Sequence, residues 1–261
     1  MTPADPPDRS APVPGPRPPA GTDSPDPERL PAAIERATGG GASPAERVAA
    51  LREVAVGLGR RVASPRGLLD TVLQVAPHLT VRDAPTLSAH HDGLVGRDLA
   101  HALVTSAVRG SAGIGAAGGV LASASEAAPA ALLSAPVQLG VESLAVVALE
   151  LRLVAELHAA LGVALPAEAQ QRAALVLRAW TTGRGVRLAD LAGGGGVSGL
   201  LGRAARSQLR DRLLRRFARS TLGFIPLLAG AAAGAAVNAR GTRKLGEGLI
   251  ADLSGVAAGG Q

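Results

Sequence analysis

Imidazole and carboxylate side chains cluster once in this sequence, at His90, His91, Asp92, Asp98 and His101. Together they form a donor set for zinc or a similar metal, and Asp98 and His101 stand one helical turn apart. Neither HExxH nor a paired ExxH motif accompanies them, so they remain ligand candidates with no metal or other cofactor assigned. Gly113-Ile-Gly115-Ala-Ala-Gly118 matches the dinucleotide fingerprint letter for letter. That fingerprint needs a strand ending in a tight turn at a helix start. Here the preceding residues read as helix and no acid follows about twenty residues on, so glycines that admit a neighbouring helix are the better reading. The sequence contains neither GxSxG nor GxxxxGK[ST], and with no cysteine, thiolate catalysis and Cys-based metal sites are excluded. His158, in an apolar helical face, is expected to be buried and bonded to a backbone carbonyl. Glu142, Glu150 and Glu156 are expected on a solvated face or paired with arginine. No catalytic constellation emerges.

Charge is the stronger signal. Arg203, Arg206, Arg210, Arg212, Arg215, Arg216 and Arg219 face one acid, Asp211, giving a local charge of +6 that equals the net charge of the whole chain. Ser220–Ala239 follows directly with no charged residue. Leu209, Leu213 and Phe217 form a narrow apolar stripe within the basic run, and arginines beside such a stripe can snorkel toward lipid phosphates. This makes an anionic membrane surface the leading partner, ahead of a plain charged face on a soluble bundle. A nucleic-acid partner is disfavoured, because interleaved aromatics and any recognisable binding module are missing.

A simple span through Ser220–Ala239 is not expected. Its six strongly apolar side chains contribute roughly −2 to −4 kcal/mol toward insertion, opposed by Pro226, glycines and Asn238. Arg240, Arg243 and Lys244 also make the far flank basic. A hairpin that dips and returns, or a helix buried in protein, satisfies both flanks.

The elements that would position these groups read as helices throughout. Hydrophobic residues make up 47% of the chain, yet the aromatics are only Trp180, Phe217 and Phe224, so Ala, Val and Leu must build the core by close backbone approach. Residues 1–42 hold eleven of the nineteen prolines and read as a disordered tail, without the apolar region of a signal peptide. A single all-α domain is expected over 43–261, its N-terminal helical part at 43–77. Ser43-Pro44-Ala45-Glu46 is a capping box, with Val48, Leu51, Ala55, Leu58 and Val62 on one face, and Ser64-Pro65 opens a second helix. Residues 78–91, containing Pro85, read as a loop, and a helix follows from about Asp92 to Arg109. Between Gly110 and Val141 the only charge is Glu126, which suggests two short arms of a buried or re-entrant hairpin turning near Pro129. The pattern of 142–162 gives a helix with Leu144, Val147, Leu151 and Val154 opposite its charges. Pro166 opens another helix ending at Gly183, with Ala169, Ala173, Val176, Leu177 and Trp180 along one side, and a short amphipathic segment near Leu245–Leu253 closes the chain. Gly230-Ala-Ala-Ala-Gly234 is a GxxxG motif, a helix-contact signal.

The order of these features resembles the EcsC family over about residues 92–253. The likeness is carried by SAGIGAAGG, by ALELRLVAELHAALG and above all by FIPLLAGAAAGAAVNARGTRKLGEG. In that last stretch Ile225, Pro226, Gly230, Gly234, Asn238, Thr242 and Gly246 look like the family's closing motif. Where the family pattern carries Tyr-Gly, this chain has His158-Ala159. DUF697-type domains are a near alternative. The resemblance implies a membrane-associated helical protein linked to transport or secretion, with no catalytic residues to transfer. Together with the arginine run it leads to an expected place at the cytoplasmic side of the cell membrane, peripheral or re-entrant, with the cytoplasm as the alternative. A membrane-protein partner and self-association are compatible with it. A soluble helical partner-binding module is the alternative expectation, and an enzyme the third.

Overall fold

The computed structural model describes residues 29–123, 135–183 and 227–259. Eight α-helices account for most of them, and the described residues contain no strand. In chain order these are α1 (Arg29–Thr38), α2 (Pro44–Leu58), α3 (Pro65–Val75), α4 (Ala84–His90), α5 (Gly96–Ser123), α6 (Ala135–Ala160), α7 (Ala169–Gly183) and α8 (Leu227–Gly259). Short 3₁₀ turns at Gly59–Ala63 and Ala76–His78 follow α2 and α3. The all-α expectation holds.

The helices surround α6, which contacts all seven others. From Leu144 to Leu151 every residue of α6 is buried, and only Arg152 interrupts the run that continues to His158. A helix apolar nearly all round can be stable only inside a bundle. Small residues bring its neighbours close: a Cβ added at Gly140 would collide with the backbone of Val62 in the first 3₁₀ turn. No helix among the described residues is long and apolar enough to cross a membrane.

Local start signals are realised as the sequence suggests. Ser43 accepts from the Glu46 amide, and the Ser43 amide donates to the Glu46 carboxylate at 2.7 Å, with Pro44 in the first turn of α2. At α3, Ser64 accepts from the Gly67 amide. Leu51, Ala55, Leu58 and Val62 are buried and Val48 is half-buried; in α7, Ala173, Val176, Leu177 and Trp180 are buried and Ala169 is half-buried.

Other expectations are corrected. The stretch read as a tail through residue 42 contains α1, whose Leu30, Ala33, Ile34 and Ala37 join the core. Its last carbonyls are held from outside. Arg47 donates to Ala37 O at 2.8 Å and Gly39 O at 2.7 Å, and Arg152 donates to Thr38 O at 3.0 Å. Cations at a helix C-terminus satisfy orphan carbonyls and meet the negative end of the dipole. Burial pulls both guanidinium groups below the ordinary arginine value. Arg152 adds to this effect on Arg47; Arg82 adds to it on Arg152, against the opposing pull of Glu156 and Glu35.

The expected loop at 78–91 contains α4, because Pro85 sits in a first turn, where its missing N–H costs nothing, and Asp83 caps it by accepting from the Thr86 amide at 2.9 Å. The expected hairpin arm from Gly110 is the second half of α5, which runs unbroken to Ser123; the turn assigned near Pro129 lies outside the described residues. Rather than starting at Pro166, α7 begins at Ala169, with the carbonyls of Pro166 and Ala167 accepting from Arg172. In place of a hairpin and a separate closing segment, one helix, α8, runs for 33 residues. Of the two arrangements that would suit its flanks, the described part is the one packed against protein, chiefly on α5.

Candidate functional site

Three carboxylates spaced along α6 define the most polar part of the core. Sequence geometry places Glu142, Glu150 and Glu156 on one side of the helix, but that side is not solvated: Glu150 is 1% exposed and Glu156 4%. The expectation of a solvated face is overturned by partners distant in sequence. Asn238 Nδ2 of α8 donates to Glu142 Oε1 at 2.9 Å. One turn further along α8, Thr242 Oγ1 donates to Glu150 Oε1 at 2.8 Å. Trp180 Nε1 of α7 donates to Glu150 Oε2 at 2.9 Å. Glu156 is gripped by Arg82, Nε to Oε1 at 2.8 Å and Nη2 to Oε2 at 3.1 Å, with Arg152 Nε 4.0 Å away. The arginine pairing expected for these acids is realised at Glu156. A carboxylate removed from water must have its lone pairs satisfied, so the Asn238, Thr242 and Trp180 bonds fix the register of α8 and α7 against α6, while Arg82 ties the segment before α4 to it.

Thr242 and Asn238 belong to a spaced series. Gly230, Gly234, Asn238, Thr242 and Gly246 recur every four residues, and from Gly234 onward their contacts face α5 and α6. Such i±4 rows are the ridges by which helices interdigitate. A Cβ at Gly246 would lie 2.5 Å from Val104 Cγ2 of α5, and one at Gly115 would lie 2.9 Å from the Ala235 backbone nitrogen. The fingerprint glycines of α5 therefore serve three different neighbours. Gly113 leaves room for the Arg47 side chain, Gly115 for α8, and Gly118 for the Glu142 carboxylate, 2.9 Å from its added Cβ. With α5 helical before and after them, no strand–turn–helix nucleotide cradle exists here.

The remaining candidates separate. Arg203, Arg206, Arg210, Arg212, Arg215, Arg216 and Arg219 lie outside the described residues, as do Ile225 and Pro226. His90, Asp98 and His101 are exposed, and His90 Nδ1 donates to Thr86 O at 2.7 Å. No three His, Asp or Glu side chains gather as a metal-binding group among the described residues, so His90, His91, Asp98 and His101 are not brought together. His158 is buried and donates from Nδ1 to Val154 O at 2.7 Å.

Sequence reasoning missed a groove of about 840 Å³ between α2 and α5. The available signal was small or apolar residues at helical spacing on both helices, Ala45, Ala49 and Val56 on one and Gly113, Ala116 and Val120 on the other. No family model, curated protein or solved structure matches this chain.

Proposed function

We propose that this chain is a non-enzymatic, membrane-associated helical protein. It would act as an accessory or scaffold at the cytoplasmic membrane face, of the kind the EcsC resemblance implies, in connection with transport or secretion. The observation that carries the reading is the run of seven arginines from Arg203 to Arg219 directly preceding twenty uncharged residues. Attachment to the surface is favoured over a span, because the insertion energy of 220–239 is marginal and both of its flanks are basic. The described part of α8 adds support. Val237, Arg240, Arg243 and Lys244 are exposed, and the three cations form no ion pair among the described residues. An apolar side chain among cations is the composition that anionic lipid selects.

Cosedimentation with vesicles tests this. The full chain should pellet with phosphatidylglycerol-containing vesicles and not with pure phosphatidylcholine. Each arginine near an anionic surface contributes roughly 1 kcal/mol, so replacing Arg210, Arg212, Arg215 and Arg216 with Gln should weaken binding by about a hundredfold or more. Unchanged binding would remove the basic run from the mechanism.

A further inference from the structure

The groove between α2 and α5 has the volume of a small-molecule site and an apolar lining, and it is open to solvent along two exposed valines. Val56 is 59% and Val120 55% exposed, an arrangement that leaves large apolar side chains in water unless something covers them. The groove follows the helix axes: Ala45, Ala49 and Val56 form one wall and Gly113, Ala116 and Val120 the other. Small side chains on both walls leave room between the helices for an alkyl chain.

Its charge is one-sided. Arg47 lies along the floor, its Nε 3.2 Å from the position a Cβ on Gly113 would occupy. Arg47 is 6% exposed, and among the described residues its guanidinium bonds only to main-chain carbonyls. Arg52, exposed at the rim, has no ion pair or hydrogen bond of its own among the described residues. The one acid among the described lining residues, Glu53, is held by Arg36 at 2.7 Å. An apolar trough with uncompensated cations attracts an anion that carries an apolar tail.

We propose that this groove binds a long-chain fatty acid, its alkyl chain lying between α2 and α5 and its carboxylate meeting Arg52 beside the positive field of Arg47. The site uses only described elements and stands apart from the membrane reading, which rests on other residues.

Calorimetric titration of the full chain with laurate, below its micellar concentration, tests the proposal. One site is expected. Ala49 and Ala116 are exposed, so Ala49→Trp and Ala116→Trp should fill the groove without disturbing the fold, verified by unchanged circular dichroism. Each should weaken laurate by more than about tenfold. Arg52→Gln should weaken it about two- to fivefold, as for an exposed ion pair. Dodecyltrimethylammonium, with the same chain and opposite charge, should not compete. The proposal is overturned by an absence of binding or by equal competition from the cationic amphiphile. Equal affinity in both tryptophan variants would also overturn it, locating adsorption elsewhere, for example on Arg203–Arg219. So would self-association that Ala49→Trp abolishes and laurate leaves unchanged, since a second copy would then occupy the groove.

Discussion

Replacing Gly115 with alanine should destabilise the protein relative to the same replacement at Gly248. Both glycines sit inside long helices, and in each case alanine gains about 1 kcal/mol of helix propensity. Their surroundings differ. Among the described residues an added Cβ at Gly248 meets nothing within 4 Å, whereas at Gly115 it meets the Ala235 nitrogen at 2.9 Å, the Ala235 Cα at 3.0 Å and Asn238 Nδ2 at 3.0 Å. Two of these three atoms are backbone, so relief requires α5 and α8 to move apart along a packed ridge. Overpacking of this kind costs about 1–3 kcal/mol. Because the propensity gain is common to both variants, their difference isolates the close approach and should equal that cost. At about 2–4 °C per kcal/mol for a chain of this size, Gly248→Ala should melt slightly above the parent. Gly115→Ala should melt a few to about ten degrees below Gly248→Ala. Thermal and urea unfolding followed by far-UV circular dichroism measure this directly. If Gly115→Ala were as stable as Gly248→Ala, the glycine-mediated contact between α5 and α8 would be refuted.

Glu150→Ala should cost about 2–5 kcal/mol, since it strands the buried donors of Trp180 and Thr242, and the fluorescence of Trp180, the sole tryptophan, should change with it. Urea titration and emission spectra check both. Arg47→Ala should remove three guanidinium bonds to main-chain carbonyls and cost about 2–4 kcal/mol, with hydrogen exchange in Arg29–Thr38 rising more than elsewhere. The capping carboxylates give a pH dependence: hydrogen bonds, from Ser43 to Glu46 and from Thr86 to Asp83, hold both acids below their ordinary values. A depressed carboxylate contributes stability that is fully present above its unfolded value and lost as pH falls through the folded one. Glu46→Gln with Asp83→Asn should therefore flatten the acid limb of a stability–pH curve and leave the neutral region nearly parallel.

The signals legible in the sequence were local. The Ser43 box, the Ser64 cap and the apolar face of α7 depend on residues within a turn or two of one another, and the structure contains them. What escaped was set by distant partners. A helix at Arg29–Thr38 follows a proline-rich stretch and is held at its end by Arg47 and Arg152, the second of which donates across 114 residues. Periodicity correctly put the carboxylates of α6 on one side. It could not say whether water or Asn238, Thr242, Trp180 and Arg82 met them, because those partners are 30 to 96 residues away. Pro85 read as a breaker because its place in a first turn depends on Asp83 acting as cap. The glycines of α5 matched a nucleotide motif by letter, and only the packing of α2, α6 and α8 around them revealed their use. The α2–α5 groove likewise required knowing which two helices lie side by side.

Membrane attachment is tested most directly by fractionating cells that express the full chain, at low salt, at high salt and at alkaline pH, without detergent. Surface attachment through the arginine run should place the protein with membranes at low salt and release it at high salt, where charge attraction is screened. Recovery in the soluble fraction at low salt would contradict the account, and retention through both high salt and alkaline washing would replace attachment with insertion.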